Sequence, residues 1–391
     1  MLGRSDRNIR SMDLHELKNS IHNILDKTPR PEKVLVTGGM PYANGPLHVG
    51  HLAGALVPPD IYSRWAKMYV GPENVLFVCG TDDHGSTSEV AAHKAGKPVR
   101  EFIDDIHALQ KDTMDLYKIG LDTYSATSSP ETFPIHAQTC QDMLRQLHAN
   151  KMIKKVRSKQ WFDPSMDLFL ADRYVVGTCP NCGYEKAYSD ECDSCGANYN
   201  AEELISPVST MSGQTPVLRE TDHWWLDMWK NLDTLKEWID SKSRTWRKLV
   251  VNEVVGQVAP CVVFSNTFED TFKTVKDTMP KCKSRYAAGK RIVVQFDNLV
   301  DLAAGREKLE EAGVDLELLD GWAHRSITRD ISWGIPVPEE IDEEMKGKTL
   351  YVWPDSLIAP LSFTQVALKA KGRNPDEYKD CLLYTSDAAD E

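Results

Sequence analysis

The chain has 391 residues, of which 41% are hydrophobic, and its formal net charge is −12 at pH 7. This length is sufficient for two or three domains with an ample core. No apolar run is long enough to span a membrane and residues 1–33 are polar, so we expect a cytoplasmic protein with no signal peptide and no membrane partner. The acidic balance argues against a general nucleic-acid-coating protein, and we expect no DNA partner, although a local basic face could still bind RNA.

Residues 1–32 precede the first predicted strand. Their apolar residues recur at spacings of three, four and three, which is typical of an amphipathic helix. We expect this extension to pack against the rest of the protein, and binding to a partner is the less favoured alternative. The apolar residues are Leu14, Leu17, Ile21 and Ile24.

A short apolar strand and a glycine turn follow at residues 34–39, which read VLVTGG. A nucleotide could bind at such a turn. Prolines, Asn44 and Gly45 then keep the chain in a loop before a helix that begins near Leu47.

His48 and His51 are three residues apart at the start of this predicted helix. On a helix, both imidazoles lie on one face, at the end whose backbone N–H groups favour phosphate. Gly45 and Gly50 add no side chain, so the backbone can approach a ligand closely. An H-x-x-H pair alone is a weak signal, and two packed or surface histidines are the alternative.

A second strand is predicted at Val75–Val78, with Leu52–Tyr69 as the crossover helix of a parallel βαβ unit. The strand leads into GTDDHG, and Asp82 therefore faces the same crevice as the two histidines. Its carboxylate could hold a substrate ammonium group. The alternative is a turn-capping role, which we expect for Asp83.

The sequence contains nine cysteines, and four of them form two C-x-x-C units. Each unit is followed by glycine, so tight turns present the thiolates in pairs, and four thiolates saturate a tetrahedral zinc ion. We expect a structural zinc site in a reducing compartment rather than a disulfide framework. The alternative is four unconnected thiols. The predicted ligands are Cys179, Cys182, Cys192 and Cys195.

Apolar periodicity predicts the remaining elements. A tryptophan-rich helical segment is assigned to a core face, since base stacking is the less favoured role of its indoles. In chain order we predict a helix at Phe133–Asn150, a helical segment at His223–Asn252, a strand at Arg291–Phe296, a helix at Leu299–Ala312, a strand at Leu316–Leu319, and a strand with a following turn at Arg325–Pro338.

Four motifs resemble the class I aminoacyl-tRNA synthetases, in the form typical of the methionyl family. PYANGPLHVGH resembles the HIGH signature, and GTDDHG resembles the family's GTDxHG segment. RSITRDISWGIPVP matches a further family stretch, and LYVWPD matches the start of a family strand that lines the methionine pocket. The resemblance covers residues 33 to about 256 and 322 to about 360.

The resemblance implies a methionine–tRNA ligase that works with ATP, Mg²⁺ and tRNA(Met). The methionine carboxylate attacks the α-phosphate of ATP, and the adenylate is then passed to the tRNA. Such a step is catalysed by positioning the reactants and by stabilising the charge that develops on the phosphate oxygens. The implied site residues are His48 and His51 for catalysis; Asn44, Gly45, His48, Gly50 and His51 for ATP; Tyr42, Asp82 and Trp353 for methionine; and the four cysteines for Zn²⁺.

The implied fold is α/β, with a Rossmann-like parallel sheet interrupted by a connective-peptide insertion that contains a zinc knuckle. A further α/β insert has no counterpart in the family, and we expect it to be a lineage-specific surface elaboration. The segments are an N-terminal helical extension (1–32), the first half of the catalytic domain (33–125), the insertion (126–349) with its knuckle (177–200) and the α/β insert (257–320), the start of the second catalytic half (350–380), and a foreign tail (381–391).

The chain departs from the family in two respects. The pocket-lining segment differs at five positions, and small changes in pocket shape alter discrimination among side chains: Pro354, Ser356, Leu357, Ala359 and Pro360. The family's KMSKS loop and anticodon-binding domain are not found, so we expect an incomplete, impaired fragment. Two alternatives stay open, namely a class I synthetase for another aliphatic amino acid and a non-catalytic synthetase-like protein that binds RNA or a partner.

Overall fold

The computed structural model describes residues 30–381 apart from a few positions. The N-terminal helix predicted within residues 1–32 lies outside the described residues, as do residues 382–391 of the expected tail. No described helix is long and apolar enough to cross a membrane. The positions left out within 30–381 are 171, 190, 198, 200, 245, 288–289, 320–322 and 379–380.

A parallel three-stranded sheet forms the centre of the N-terminal part. Its strands β1 (Val34–Thr37), β2 (Val75–Thr81) and β3 (Thr123–Ala126) lie in that order, and both pairs run parallel. All residues of β2 are buried, as expected for the central strand of a parallel sheet that is covered on both faces. The predicted strands and their parallel arrangement are confirmed.

Helices cover one face of this sheet. After β1 the chain forms a π-helical turn at His51–Leu56 and continues as α1 (Val57–Val70). Two prolines occupy the first turn of α1, where a missing N–H costs no intrahelical hydrogen bond. α2 (Ser86–Ala95) and α3 (Val99–Leu116) follow β2. The crossover helix predicted at Leu52–Tyr69 is therefore confirmed.

The next part of the chain contains one helix and two small groups of antiparallel strands. The helix confirms the prediction at Phe133–Asn150, and Cys140 and Leu144 lie buried on its apolar side. The elements are α4 (Phe133–Ala149), β4 (Ile153–Asp163), β5 (Leu168–Phe169), β6 (Val175–Thr178), β7 (Ala187–Tyr188) and β8 (Ile205–Ser209).

The strand β9 (Val217–Asp227) corrects one prediction. Its last residues, from His223, were predicted to be helical, but they pair with β4 in a long antiparallel ladder. The partner strand lies far earlier in the chain, so local residue spacing could not reveal the pairing. A run rich in tryptophan fits a strand as well as a helix, because aromatic residues pack readily on a pleated surface.

The remainder of the tryptophan-rich segment is helical, as predicted. It forms α5 (Leu232–Lys242) and α6 (Lys248–Val258). Trp224 is buried, which confirms its predicted core position, whereas Trp238 is exposed and its core assignment is wrong.

Residues 261–319, here called the insert unit, form a separate antiparallel sheet with two helices. The sheet order β11-β12-β10-β13, with a βαββαβ sequence of elements, is the split βαβ arrangement. The unit has its own core, and the three elements predicted within it are confirmed. Its elements are β10 (Cys261–Ser265), α7 (Glu269–Val275), β11 (Cys282–Ala287), β12 (Arg291–Phe296), α8 (Leu299–Glu311) and β13 (Leu316–Leu319).

The chain then returns through three short strands. β14 (His324–Ser326) pairs with β9, and β15 (Thr328–Arg329) pairs with β16 (Thr349–Leu350). The strand and turn predicted at Arg325–Pro338 are thus present as two short strands followed by a bend.

Asp330 joins the returning segment to β9. Its carboxylate accepts hydrogen bonds from Thr221 Oγ1 (2.7 Å) and Lys348 Nζ, and it lies 3.0 Å from His223 Nε2. Burial alone would raise the pKa of Asp330, but His223 and the hydrogen-bonding side chains outweigh burial and lower this pKa to about 2. The carboxylate is therefore held ionised.

α9 (Val352–Ala370) covers the second face of the parallel sheet. This helix corrects the expectation of a strand at Leu350–Asp355, of which only the first residue belongs to a strand. Pro354 is the third residue of the helix, a position that accommodates the fixed φ and missing N–H of proline. The residues that pack across this interface are Leu35, Leu76 and Val78 on the strands and Ala359, Phe363, Ala367 and Leu368 on the helix.

Candidate active site

The glycine turn after β1 brings two elements close together. The N–H of Gly38 donates to the carbonyl of Val78 (2.9 Å), and the N–H of Gly39 donates to the carbonyl of Ala55 (3.2 Å). A Cβ atom at Gly39 would lie 2.9 Å from the Cβ atom of Ala55, nearer than real Cβ atoms come. The turn therefore requires glycine, and it ties the end of β1 to both β2 and the π-helical turn.

His48 and His51 lie side by side where the loop becomes helix. Their ring centroids are 3.9 Å apart, and the ring planes are inclined by 30°. His48 is exposed and precedes the helical residues, whereas half-buried His51 opens the π-helical turn. A Cβ atom at Gly50 would lie 2.9 Å from Cε1 of His48, so glycine at this position leaves room for the ring. The two imidazoles predicted to share one face are thus adjacent.

Backbone hydrogen bonds decide which ring nitrogens carry protons. The N–H of Gly50 donates to Nδ1 of His48 (3.1 Å), and the N–H of His48 donates to Nδ1 of His51 (3.2 Å). Because an accepting Nδ1 has no proton, each ring carries its N–H at Nε2. Burial and the neighbouring His48 lower the pKa of His51, which favours the neutral form. The pair therefore presents two Nε2–H donors.

The loop before the histidines is bound to the end of β2. The N–H of Asp82 donates to the carbonyl of Pro41 (3.0 Å), and the N–H of Ala43 donates to the carbonyl of Asp82 (3.1 Å). Tyr42 and Asp82 consequently pair like residues of adjacent parallel strands. Asp82 is buried and Tyr42 is partly exposed. The structure thus places together two of the residues predicted to contact methionine.

Gln110 of α3 is a residue that the sequence motifs do not identify. Its side-chain N–H groups donate to the carbonyls of Tyr42 (3.0 Å) and Gly45 (2.7 Å), and its oxygen accepts from Tyr124 (2.7 Å). This buried amide holds both ends of the loop that leads to Asn44 and the histidines. The only signal in the sequence is a polar residue on the apolar face of a helix.

A buried triad joins the turn after β2 to α9. Nδ1 of His84 lies 2.8 Å from one carboxylate oxygen of Asp355, and Nε2 of His136 is hydrogen-bonded to the other. Nδ1 of His136 lies 2.9 Å from the hydroxyl of Ser362. Burial opposes charge on His84 and Asp355, but their mutual attraction outweighs it, raising the pKa of His84 and lowering that of Asp355.

This triad connects two segments that carry predicted methionine contacts. His84 comes two residues after Asp82, and Asp355 comes two residues after Trp353. Trp353 lies in the first turn of α9 with 39% of its surface exposed. The ion pair therefore fixes the Asp82 turn relative to the helix start that contains Trp353.

Asp83 caps the loop after β3, as expected for a turn residue. Its carboxylate accepts hydrogen bonds from the backbone N–H (2.9 Å) and the hydroxyl (2.7 Å) of Ser128. The indole N–H of Trp333 donates to the carbonyl of Asp83 (2.7 Å). The returning segment thus also contacts the turn that contains Asp82.

The four predicted metal ligands come together in the small sheet β6–β8. The sulfurs of Cys179 and Cys195 are 3.9 Å apart, and those of Cys182 and Cys192 are 3.7 Å apart. Four sulfurs placed about 2.3 Å from a zinc ion form a tetrahedron with edges of about 3.8 Å. This cluster could therefore hold a metal ion, and its dimensions fit tetrahedral thiolate coordination.

The two cysteine turns have the same backbone conformation. The N–H of Gly183 donates to the carbonyl of Cys179 (3.0 Å), and the N–H of Gly196 donates to the carbonyl of Cys192 (2.8 Å). Both glycines have positive φ angles, of 77° and 67°, which side chains disfavour. The glycine after each C-x-x-C unit is therefore needed to close the turn.

The cysteine cluster packs toward the part of the chain that contains the parallel sheet through Tyr174. The buried Tyr174 hydroxyl donates to the carboxylate of Glu89 on α2, and Val90 of the same helix packs against the hydrophobic cluster around the cysteines. α2 begins directly after the GTDDHG turn. The cluster thus supports the helix that follows Asp82.

Comparison with known proteins identifies the family. Residues 34–262 and 304–388 match the family model described as tRNA synthetases class I (M). The chain belongs to this family. The unmatched residues of this class I synthetase chain, 263–303, lie within the insert unit.

Individual relatives of this class I synthetase chain are named methionine–tRNA ligases. The chain is 37% identical over 351 residues to the protein from Rubrobacter xylanophilus, covering 90% of this chain and 48% of the relative. It is 34% identical over 352 residues to that from Cytophaga hutchinsonii, covering 89% of this chain and 41% of the relative. The chain thus spans about half or less of the length of these relatives.

A solved structure is also similar. It is Mycobacterium tuberculosis methionyl-tRNA synthetase bound by methionyl-adenylate, which covers 92% of this chain and 50% of its own, at 16% identity and a TM-score of 0.45. At this sequence identity and TM-score, the structural similarity adds no evidence to the family match.

Proposed function

We propose that this chain activates methionine with ATP and takes part in its transfer to tRNA(Met) in the cytoplasm. The observation that carries the proposal is the pair of Nε2–H donors on His48 and His51, directly after a glycine turn at the end of a parallel strand. Ligands of open α/β sheets bind at this edge. The named relatives support methionine as the amino acid, and the described cysteines, none of which forms a disulfide, are consistent with a reducing compartment.

The histidine pair stabilises the charge that develops on the phosphate oxygens of ATP. Two neutral N–H donors on adjacent rings can hydrogen-bond to those oxygens as the charge develops, without the desolvation cost of burying cations. Asn44, Gly45 and Gly50 provide backbone that approaches the nucleotide without bulky side chains. Mg²⁺ accompanies the ATP and offsets its negative charge.

Asp82, Tyr42 and Trp353 hold the methionine. The carboxylate of buried Asp82 pairs with the substrate ammonium group, and the two aromatic rings enclose the side chain. Sulfur–aromatic contacts suit a thioether in such a pocket. The amino acid is thereby oriented with its carboxylate toward the α-phosphate, which is the positioning that adenylate formation needs.

The cysteine cluster holds a structural zinc ion. We infer that residues 33–125 and 350–380 belong to the catalytic domain and that 126–349 is the insertion. Purified protein should contain one zinc ion per chain, and the Cys182→Ser/Cys192→Ser variant should lose it. Cys282→Ser, which changes a half-buried cysteine of the insert unit, is the control and should retain the metal. Equal zinc content in both variants would argue against the site.

Methionine-dependent exchange between pyrophosphate and ATP tests the activity. We expect exchange with methionine but not with leucine, isoleucine or valine, and a loss of about 10²-fold or more in His48→Ala. His93→Ala, which removes an exposed histidine of α2, is the matched control and should remain active. Folded protein with no exchange for any amino acid would overturn the activity, and exchange with another aliphatic amino acid would overturn the specificity.

A further inference from the structure

The hairpin formed by β11 and β12 is strongly basic in an acidic chain. Its residues 281–291 include five lysines and arginines and no aspartate or glutamate, whereas the whole chain has a net charge of −12. Like charges this close together repel one another unless an anion is bound. The basic residues are Lys281, Lys283, Arg285, Lys290 and Arg291.

The sheet register places two of these cations on the same face. Lys283 lies opposite Gln295, and Arg285 lies opposite Val293. Residues two apart on a strand share a face and lie about 6.6–6.8 Å apart. The helices α7 and α8 pack on the other face, which contains Ile292 and Val294. Lys283 and Arg285 therefore project from the face opposite the helices, along the edge strand β11.

These cations are not neutralised by the protein. Lys283 and Arg285 are exposed, and among the described residues neither they nor the other hairpin cations form an ion pair with a carboxylate. The situation differs on α8, where Arg306 pairs with Glu310 (2.7 Å) and Lys308 pairs with Glu311 (2.9 Å). The hairpin charge thus remains available to a partner.

The C-terminal part of the insert unit is acidic, so the positive charge is concentrated at one edge of the unit. Residues 297–317 contain seven carboxylates and two basic residues. They include α8 and the strand β13, which lies at the opposite edge of the sheet from β11. The unit is therefore electrically polar, and its β11 edge is a more favourable side for a polyanion than its β13 edge.

We propose that the β11–β12 hairpin binds the phosphate backbone of RNA. This inference rests on the proposed function, which requires a tRNA partner. RNA is favoured over a lipid surface because the exposed aromatic ring of the hairpin, Tyr286, suits base stacking. Tyr286 lies opposite Ile292 on the helix-covered face, and its hydroxyl donates to Glu269 of α7 (2.8 Å), which fixes the exposed ring on the same edge strand as Lys283 and Arg285.

The test compares two double variants that change the net charge equally. Lys283→Gln/Arg285→Gln removes two hairpin cations, and Arg306→Gln/Lys308→Gln removes two paired cations of α8. Binding to fluorescent tRNA(Met) is measured by anisotropy across a range of salt concentrations. We expect the hairpin variant to bind at least 10-fold more weakly, with a salt slope shallower by about 1–2, since each lost phosphate contact lowers the slope by about 0.7–0.9. The α8 variant should bind like the unchanged protein.

Two outcomes would overturn the proposal. One is equal binding by both variants, which would indicate a net-charge effect or no role for the hairpin. The other is hairpin-dependent binding to phosphatidylcholine vesicles that contain phosphatidylserine, with no change in tRNA binding. Methionine-dependent pyrophosphate exchange needs no tRNA, so we expect it to be unchanged in both variants. A failure of exchange in the unchanged protein would affect the proposed function without altering the hairpin result.

Discussion

Charged side chains are arranged differently around the parallel sheet and in the insert unit. Around the sheet, Asp82, His84 and Asp355 are buried, and His84 and Asp355 form an ion pair. In the insert unit, Lys283 and Arg285 are exposed and unpaired among the described residues. Buried polar groups need exact partners because their desolvation is costly, whereas exposed charges act through a field that salt screens. Substitutions of charged groups in the first region should therefore change stability strongly, and those in the second should change stability little and act mainly on salt-dependent binding.

The largest effect should follow removal of the central carboxylate of the triad. Asp355→Ala leaves two buried imidazoles without their partner, so we expect the free energy of unfolding to fall by about 3–5 kcal/mol. Urea denaturation followed by tryptophan fluorescence measures this change. Glu317→Ala, which removes an exposed carboxylate of the insert unit, is the control and should lie within about 0.5 kcal/mol of the unchanged protein. Similar losses of unfolding free energy in both variants would show that buried and exposed charges do not differ in their contribution to stability.

A pair of glycines gives a second comparison. A Cβ atom at Gly80 would overlap both the backbone oxygen of Ser125 and the ring of Phe363, and one at Gly305 would overlap only the ring of Phe296. We expect Gly80→Ala to lose about 1–3 kcal/mol through overpacking. Gly305→Ala should lose less, because alanine regains up to about 1 kcal/mol of helix propensity. Thermal unfolding compares the two, and a larger loss at Gly305 would contradict the expectation.

Acid should destabilise the protein through Asp330. Its pKa in the folded state, about 2, lies below the ordinary value of 3.8. Its contribution of about 2 kcal/mol is therefore complete above pH 3.8 and is lost as pH falls through about 2. Denaturation between pH 5 and 2 should show less pH dependence in Asp330→Asn. Glu310→Gln, on the surface of α8, should keep the profile of the unchanged protein, and a profile unaffected by Asp330→Asn would refute the assignment.

The smallest effect is expected for an exposed ion pair. A double-mutant cycle on Arg306 and Glu310 should give a coupling energy of about 0.3–0.5 kcal/mol that decreases with salt, because solvent screens such i,i+4 pairs. Chemical denaturation at two salt concentrations measures it. A coupling above about 1 kcal/mol would show that this surface is more tightly organised than its exposure indicates.

Local patterns were sufficient where one segment contains the whole signal. The strands at Val34–Thr37 and Val75–Thr81 and their crossover helix follow from apolar runs and glycine turns, and the structure confirms them. The two C-x-x-C units likewise predicted the cluster of four sulfurs. Each unit, with the glycine that follows it, forms its own turn and presents two of the sulfurs. The roles assigned to the residues of the histidine site and the methionine pocket remain predictions.

Local patterns failed where a distant segment decides the outcome. His223–Asp227 is a strand because β4 supplies hydrogen-bond partners across the ladder, and the segment's own spacing contains no information about them. The start of α9 resembles a family strand, yet Val352 onward is helical and packs on the parallel sheet. Propensity is a weak prior that tertiary contacts override.

The sequence by itself determined the family, the parallel βαβ unit, the histidine pair and the four-cysteine cluster, since each depends on residues close together in the chain. Only the tertiary structure showed that Gln110 holds the PYANG loop, that Asp355 joins His84 to His136, and that the cations of residues 281–291 lie at one edge of an otherwise acidic unit. These arrangements depend on contacts between residues far apart in sequence. Burial, hydrogen-bond geometry and charge separation exist only after the chain has brought such residues together.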